Sequence, residues 1–186
     1  MDLGDGRGAR INSFALVAYL DDPLAAFLND LRHEIVPDYE VKAHLTILPP
    51  RPIQVDPQDA WAQVKQDLVE FQPLHVELDD VAIFPESQVI YIAIRTGLAQ
   101  LERMNQRLNR GALAFEEPFE YHPHVTLAKD LPAASVEAMS QLAAREWREA
   151  RVPKNLVIDR LTFVQNTLDN SWIDLAALDL ASAVRS

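Results

Sequence analysis

The feature that constrains this chain most is a tetrapeptide that occurs twice. His44-Leu45-Thr46-Ile47 and His124-Val125-Thr126-Leu127 both read His, apolar, Thr, apolar, and they stand 80 positions apart, from 44 to 124. On a strand, side chains alternate between two faces, so His and Thr at i and i+2 share one face while the apolar pair turns to the other. Each motif is therefore expected to be a strand with one face in a core. The other face presents an imidazole beside a hydroxyl.

The flanking segments repeat with the motifs. Phe14 to Leu20 is an apolar run of strand length. Asp22-Pro23 is a helix-start signal, and Leu24, Phe27, Leu28, Leu31 and Ile35 follow at helical spacing until Pro37. Asp56-Pro57 repeats the start, with Trp61, Val64, Leu68 and Phe71 as the apolar stripe. Leu74 to Phe84 and Val89 to Ile94 read as strands about a Pro85-Glu86-Ser87 turn. The order then begins again. A helix carries Leu98, Leu101, Met104 and Leu108, Gly111 suits a left-handed cap, and the second motif follows Tyr121. A fourth helix carries Val136, Met139, Ala143 and Trp147. Two closing strands, Leu156 to Gln165 and Trp172 to Leu178, join through Asp169-Asn170-Ser171.

Each half thus reads strand, helix, motif strand, helix, strand, further strand. Phe84 and Phe163 stand at matching distances after their motif histidines, and so do Ile94 and Leu175. A period near 80 is too long for a solenoid repeat. The expected fold is α+β: two pseudo-symmetric lobes with mainly antiparallel sheets, and a central cleft carrying both His-x-Thr motifs. Residues 1–12, Gly-rich and polar, are expected to be a flexible segment ahead of one bilobal domain spanning 13–186.

Composition narrows the function. The 186 residues are 48% apolar, enough to bury a core, and contain no cysteine for a disulfide or thiolate site. No stretch approaches the roughly 20 apolar residues of a membrane helix. The start has no basic region followed by an apolar run, so no signal peptide is expected, and the expected location is cytoplasmic. A formal net charge of −11 opposes any function that coats long nucleic acid. It leaves room for chemistry on one phosphate.

Two histidines about one phosphate form an acid–base pair, since one ring can be neutral and the other protonated near pH 7. Threonine hydroxyls can hold non-bridging phosphate oxygens. An imidazolium and hydroxyl donors can offset developing negative charge, so no cofactor or metal is expected. His122 and His124 could suggest a metal pair, but Pro123 separates them and no third ligand stands at a convincing spacing. His33 and His75 read as exposed. Tyr91, Tyr121, Phe115 and Phe119 could stack on a base or pack in the core, and Lys42 and Arg95 could be cleft cations or merely solvated.

The paired motifs, their spacing and the duplicated frame resemble the 2H phosphoesterase superfamily, in particular the 2′-5′ RNA ligase or RNA 2′,3′-cyclic phosphodiesterase family. The resemblance covers nearly the whole chain after residue 12. It implies metal-independent opening of a 2′,3′-cyclic phosphate to a 2′-phosphate, or reversible 2′-5′ joining of RNA ends. The expected partner is an RNA end or a small cyclic-phosphate nucleotide, met by a monomer. On this resemblance His124 is the catalytic base, His44 the acid, and Thr46 and Thr126 bind the phosphate. Lys129, three positions after the second threonine, and Arg51, after the first motif, are the expected substrate-binding cations. Strict alternation would point Lys129 away from Thr126, so its role requires a bulge or a strand end. Pro49-Pro50-Arg51-Pro52 departs from the glycine-bearing stretch of many relatives and bears on what the cleft accepts. A phosphate-binding module without turnover is the alternative. A purely structural protein would leave the matched histidines without a reason.

Overall fold

The computed structural model describes residues 8–180. Its elements run β1 (Arg10–Tyr19), α1 (Leu24–Ile35), β2 (His44–Arg51), α2 (Pro57–Leu68), β3 (Leu74–Ile83), β4 (Ile90–Thr96), α3 (Leu98–Leu108), β5 (His124–Ala128), α4 (Ala133–Glu149), β6 (Asn155–Ile158), β7 (Arg160–Thr167) and β8 (Trp172–Asp179). A 3₁₀ turn, Gly111–Leu113, follows α3. Of the expected flexible segment, residues 1–7 lie outside the described residues, as do 181–186 of the expected domain; residues 10–12 are already strand.

Both helix-start signals act through their carboxylates. Asp22 accepts the Ala26 N–H at 3.0 Å, and Asp56 accepts the Gln58 N–H at 2.8 Å, each satisfying a donor that the first turn leaves free. Gly111 has φ +55°, as expected of a glycine in the left-handed region, but it sits in the 3₁₀ turn beyond the α3 terminus.

Among the described residues, eight strands form two four-stranded antiparallel sheets, ordered β2-β1-β7-β8 and β5-β4-β3-β6. This is the expected α+β, bilobal arrangement, with one departure. The sequence repeat is not the lobe. β3 follows α2 of the first half yet pairs with β4 of the second sheet, and β7 follows α4 of the second half yet returns to pair with β1. The cause is local: a short turn joins β3 to β4, and a hairpin puts its strands side by side. Ile94 and Leu175 are therefore not equivalent. β4 flanks the motif strand, as β1 does in the other sheet, whereas β8 is an edge strand.

The expected strand from Leu156 to Gln165 is also two. It breaks at Asp159, so that β6 pairs with β3 in one sheet and β7 pairs with β1 in the other. That sheet switch ties the lobes together.

The helices cross-brace them further. Helix α1 packs against β5, α3 against β2, α1 against α4, and α2 against α3. One continuous core results, built on Leu28 and Leu31 of α1, Leu101 and Met104 of α3, and Leu45, Ile47, Val125 and Leu127 of the motifs. The four motif residues among these are fully buried. In β1, Phe14 to Ala18 is buried on both faces: Phe14, Leu16 and Ala18 enter the main core, and Ala15 and Val17 lie under the cleft.

Candidate active site

The two motif strands are the edges of their sheets, and β2 and β5 lie against each other. An uncovered edge strand invites pairing with another chain. Here α1 and α3 pack on the motif strands. Between the lobes opens a cleft of about 1420 Å³ whose lining includes His44, Thr46, His124, Thr126 and Lys129.

Burial alternates identically through both motifs. His and Thr are half-buried and face the cleft, and the apolar partners are buried. Each histidine is also held in the same way. His44 Nδ1 lies 2.7 Å from the Lys42 carbonyl, and His124 Nδ1 lies 2.7 Å from the His122 carbonyl. A carbonyl oxygen only accepts, so Nδ1–H donates in both and Nε2 is the nitrogen left to exchange protons.

The motif backbones are pinned across the cleft. The Tyr121 hydroxyl donates to the Thr46 carbonyl at 2.8 Å, and burial pushes the Tyr121 pKa up, keeping that hydroxyl a donor. Arg32 of α1, 1% exposed, donates Nε–H to the Thr126 carbonyl at 2.8 Å, a second N–H to the same oxygen, and Nη1–H to the Val41 carbonyl at 3.0 Å. The corresponding position of α3 holds Asn105, also buried, which donates to the Ile47 carbonyl at 2.9 Å. Arg32 and Asn105 escape a reading for apolar stripes. The signal for them was present: each directly follows a stripe residue, Leu31 or Met104, and precedes the next, Ile35 or Leu108, on the buried face.

The two expected cations part company. Strand β5 ends at Ala128, so Lys129 is past the point where alternation governs, and it is exposed on the cleft. Arg51 is corrected: it is not a cleft residue. It is 1% exposed and opposite Phe14. Its guanidinium donates to the Pro49 carbonyl at 3.0 Å, the Asn109 Oδ1 at 2.7 Å, the Leu113 carbonyl at 2.9 Å and the Glu117 carboxylate. Its work is to anchor the segment between α3 and β5.

The surroundings of the two histidines differ. Phe84 and Tyr91 stack at 4.0 Å, and His124 meets them at 5.0 and 5.3 Å in edge contacts, with His122 beside it. His44 has no ring partner of this kind among the described residues. Burial lowers the pKa of both rings. His44 falls to about 4, with Arg32, His124 and Lys129 adding to the burial effect, while the Lys42 carbonyl opposes it. His124 is lowered by burial and by His122, against the opposing His122 carbonyl.

The remaining sequence candidates sort cleanly. Tyr91 is buried behind His124, Phe115 lies by the Arg51 guanidinium, and Phe119 is 66% exposed on the cleft lining. His33 and His75 are exposed and outside the lining, Arg95 pairs with Asp79 and Glu77, and Lys42 lies over Tyr19. Among the described residues no three His, Asp or Glu side chains converge as a metal site would need, and no helix is long and apolar enough to cross a membrane.

Comparison with known proteins agrees with this architecture. A relative in Geobacillus sp. (strain WCH70) that carries the name phosphoesterase is 27% identical over 140 residues, spanning 70% of this chain and 78% of its own. One of like name in Geobacillus kaustophilus (strain HTA426) is 25% identical over the same length and shares. Escherichia coli LigT, solved with ATP, superposes with a TM-score of 0.61 at 15% identity, covering 94% of this chain and all of LigT. A protein of Thermus thermophilus superposes with a TM-score of 0.61 at 16% identity, covering 92% of this chain and all of its own. At such identities the structures speak for the fold. The sequence speaks for the family: residues 20–170 match the 2′-5′ RNA ligase superfamily, the 2H phosphoesterases, and this chain belongs to it.

Proposed function

We propose that the protein hydrolyses a 2′,3′-cyclic phosphate, on an RNA end or a small nucleotide, to a 2′-phosphate, using its two histidines and no metal. The observation that carries this reading is the matched pair of Nδ1–carbonyl hydrogen bonds, which leaves both Nε2 atoms for one cleft. Neutral His124 Nε2 takes a proton from water as the water oxygen bonds to phosphorus. The P–O3′ bond breaks, and O3′ takes the proton of His44 Nε2. Thr46 and Thr126 hydroxyls donate to the non-bridging oxygens and hold the group in line. Afterwards His124 gives up its proton and His44 regains one from solvent. A 5′-hydroxyl in place of water would give a 2′-5′ linkage by the same transfers.

The depressed pKa of His44 fits this cycle when the substrate is counted. A partly desolvated ring before Arg32 and Lys129 resists a proton in the free protein. A phosphate anion placed between the motifs offsets those charges and favours the imidazolium. Buried Arg32, whose donors go to carbonyls, adds fixed positive charge behind Thr126. Escherichia coli LigT, of the same fold, has been solved with ATP and with 3′-AMP, which supports a small phosphate-bearing ligand here.

The test is turnover of a nucleoside 2′,3′-cyclic phosphate by EDTA-treated protein, with product read by phosphorus NMR. A 2′-phosphate that His124→Ala cannot make is the expected result. Binding of the nucleotide without turnover would instead identify a phosphate-binding module, and loss of activity with EDTA would overturn the metal-free scheme.

A further inference from the structure

We propose that the cleft selects a small cyclic phosphodiester carrying a single phosphate over the same group at the end of an RNA chain. The inference rests on the proposed chemistry and names its substrate class. Around the His-x-Thr pair, the described lining includes the exposed carboxylates Asp38, Glu40, Glu86, Glu102, Glu120 and Asp130. Lys129 is the only lysine or arginine among the described residues of that lining. Arg32 lies buried behind Thr126, outside the lining, with its donors on the Thr126 and Val41 carbonyls.

Positive charge is therefore concentrated at one point and surrounded by negative charge. A single phosphate at the motifs meets Lys129, the imidazoles and the potential of Arg32. The next phosphate of an oligonucleotide must lie outward, among carboxylates and without a basic track to neutralise it, whereas nucleic-acid binding gains most of its affinity from such neutralisation. Like charges at the rim cost affinity and slow encounter. The exposed ring of Phe119, next to Glu120, offers the uncharged part of a small substrate an apolar face.

The sign of the salt effect separates the two substrate classes. Charge screening shortens from about 30 Å at 0.01 M salt to about 8 Å at 0.15 M. A protein that binds RNA by its phosphates loses affinity as salt rises; here repulsion is what salt relieves. The experiment compares a nucleoside 2′,3′-cyclic phosphate with a hexaribonucleotide ending in the same group. At about 0.01 M salt kcat/KM should favour the mononucleotide roughly tenfold or more, and the gap should narrow toward about 0.15 M. Glu86→Lys and Glu120→Lys should each raise kcat/KM for the hexamer several-fold more than for the mononucleotide, because the hexamer carries the additional phosphates that meet them.

Calorimetric binding of a nucleoside 2′-phosphate and of a hexamer ending in a 2′-phosphate, measured with His124→Ala, gives the same comparison without catalysis. Preferential mononucleotide binding with no turnover in the wild type would defeat the proposed reaction and uphold the selectivity. Equal or tighter hexamer binding that weakens with salt would overturn the selectivity. So would failure of both ligands to bind.

Discussion

The two motif halves share a backbone and differ in what surrounds it. In both, Nδ1 of the histidine is tied at 2.7 Å to the carbonyl two residues back, and both threonine carbonyls are pinned from across the cleft. Yet His124 stands on a bed of Phe84 and Tyr91, whereas His44 faces the positive charges of Arg32 and Lys129. Duplication supplies two chemically alike groups. Acid–base catalysis needs them unlike in protonation at one moment. The difference in surroundings is what can assign the roles.

The comparison is broken most severely by removing either imidazole. His44→Ala and His124→Ala should each lower turnover by about 10³-fold, within the usual range for general acid–base groups, with unchanged circular dichroism. The two losses should then be told apart by the leaving group. An aryl phosphodiester, whose leaving oxygen needs no proton, should restore much of the rate to His44→Ala and little to His124→Ala. Rescue of His124→Ala instead would exchange the assigned roles.

Next come the hydroxyls. Thr46→Ala and Thr126→Ala should each reduce kcat/KM about 10- to 100-fold, the loss of a hydrogen bond of roughly 1.5–3 kcal/mol to a charged group. Equal effects from the two would mean that the halves share the phosphate evenly. A lasting excess at Thr126, which Arg32 braces, would mean that the second half carries more of the binding.

Arg51 and Lys129 show where sequence reading stops. Counted from their motif histidines, both fall on the apolar face, with Leu45 and Ile47 or with Val125 and Leu127. Parity applies only while a strand lasts. β2 continues through Arg51 and delivers it to the core; β5 stops at Ala128 and releases Lys129 to the cleft. The helix stripes and motif strands were legible because their periods are long and local. The exchange of β3 and β7 between sheets was not, since apolar alternation marks a strand without naming its neighbour. Asn105 and Arg32 were hidden by being polar on an apolar face, where the partner is a distant carbonyl.

Arg51 makes the contrast measurable. Arg51→Met removes a buried charge and leaves Glu117, 18% exposed, without its partner. It should cost about 2–3 kcal/mol of unfolding free energy, below the range for breaking a fully buried pair because water reaches the remaining carboxylate. Urea denaturation checks this. Lys129→Ala should leave that midpoint within error and weaken phosphate binding about fivefold, the scale of one solvent-exposed ion pair of about 1 kcal/mol. A stability loss at Lys129 with no change in binding would return it to the structural class where Arg51 now stands.

The smallest effect is the most direct reading of the asymmetry. Followed by NMR at the imidazole carbons, His44 should titrate near pH 4 in the free protein, and His124 below its usual 6.5. Both are held down, so at pH 7 both rings are neutral and the free protein lacks its acid. Binding an anion raises a histidine pKa, because negative charge favours the imidazolium. Saturating phosphate should therefore be accompanied by proton uptake at neutral pH, and binding should weaken as pH rises. If His44 is the acid, its titration moves up further than that of His124. To donate a proton near neutrality His44 must rise from about 4, whereas His124 serves as the base while it stays neutral. The opposite order of shifts would make His124 the proton donor and would turn the aromatic bed from a shield for the base into a support for the imidazolium.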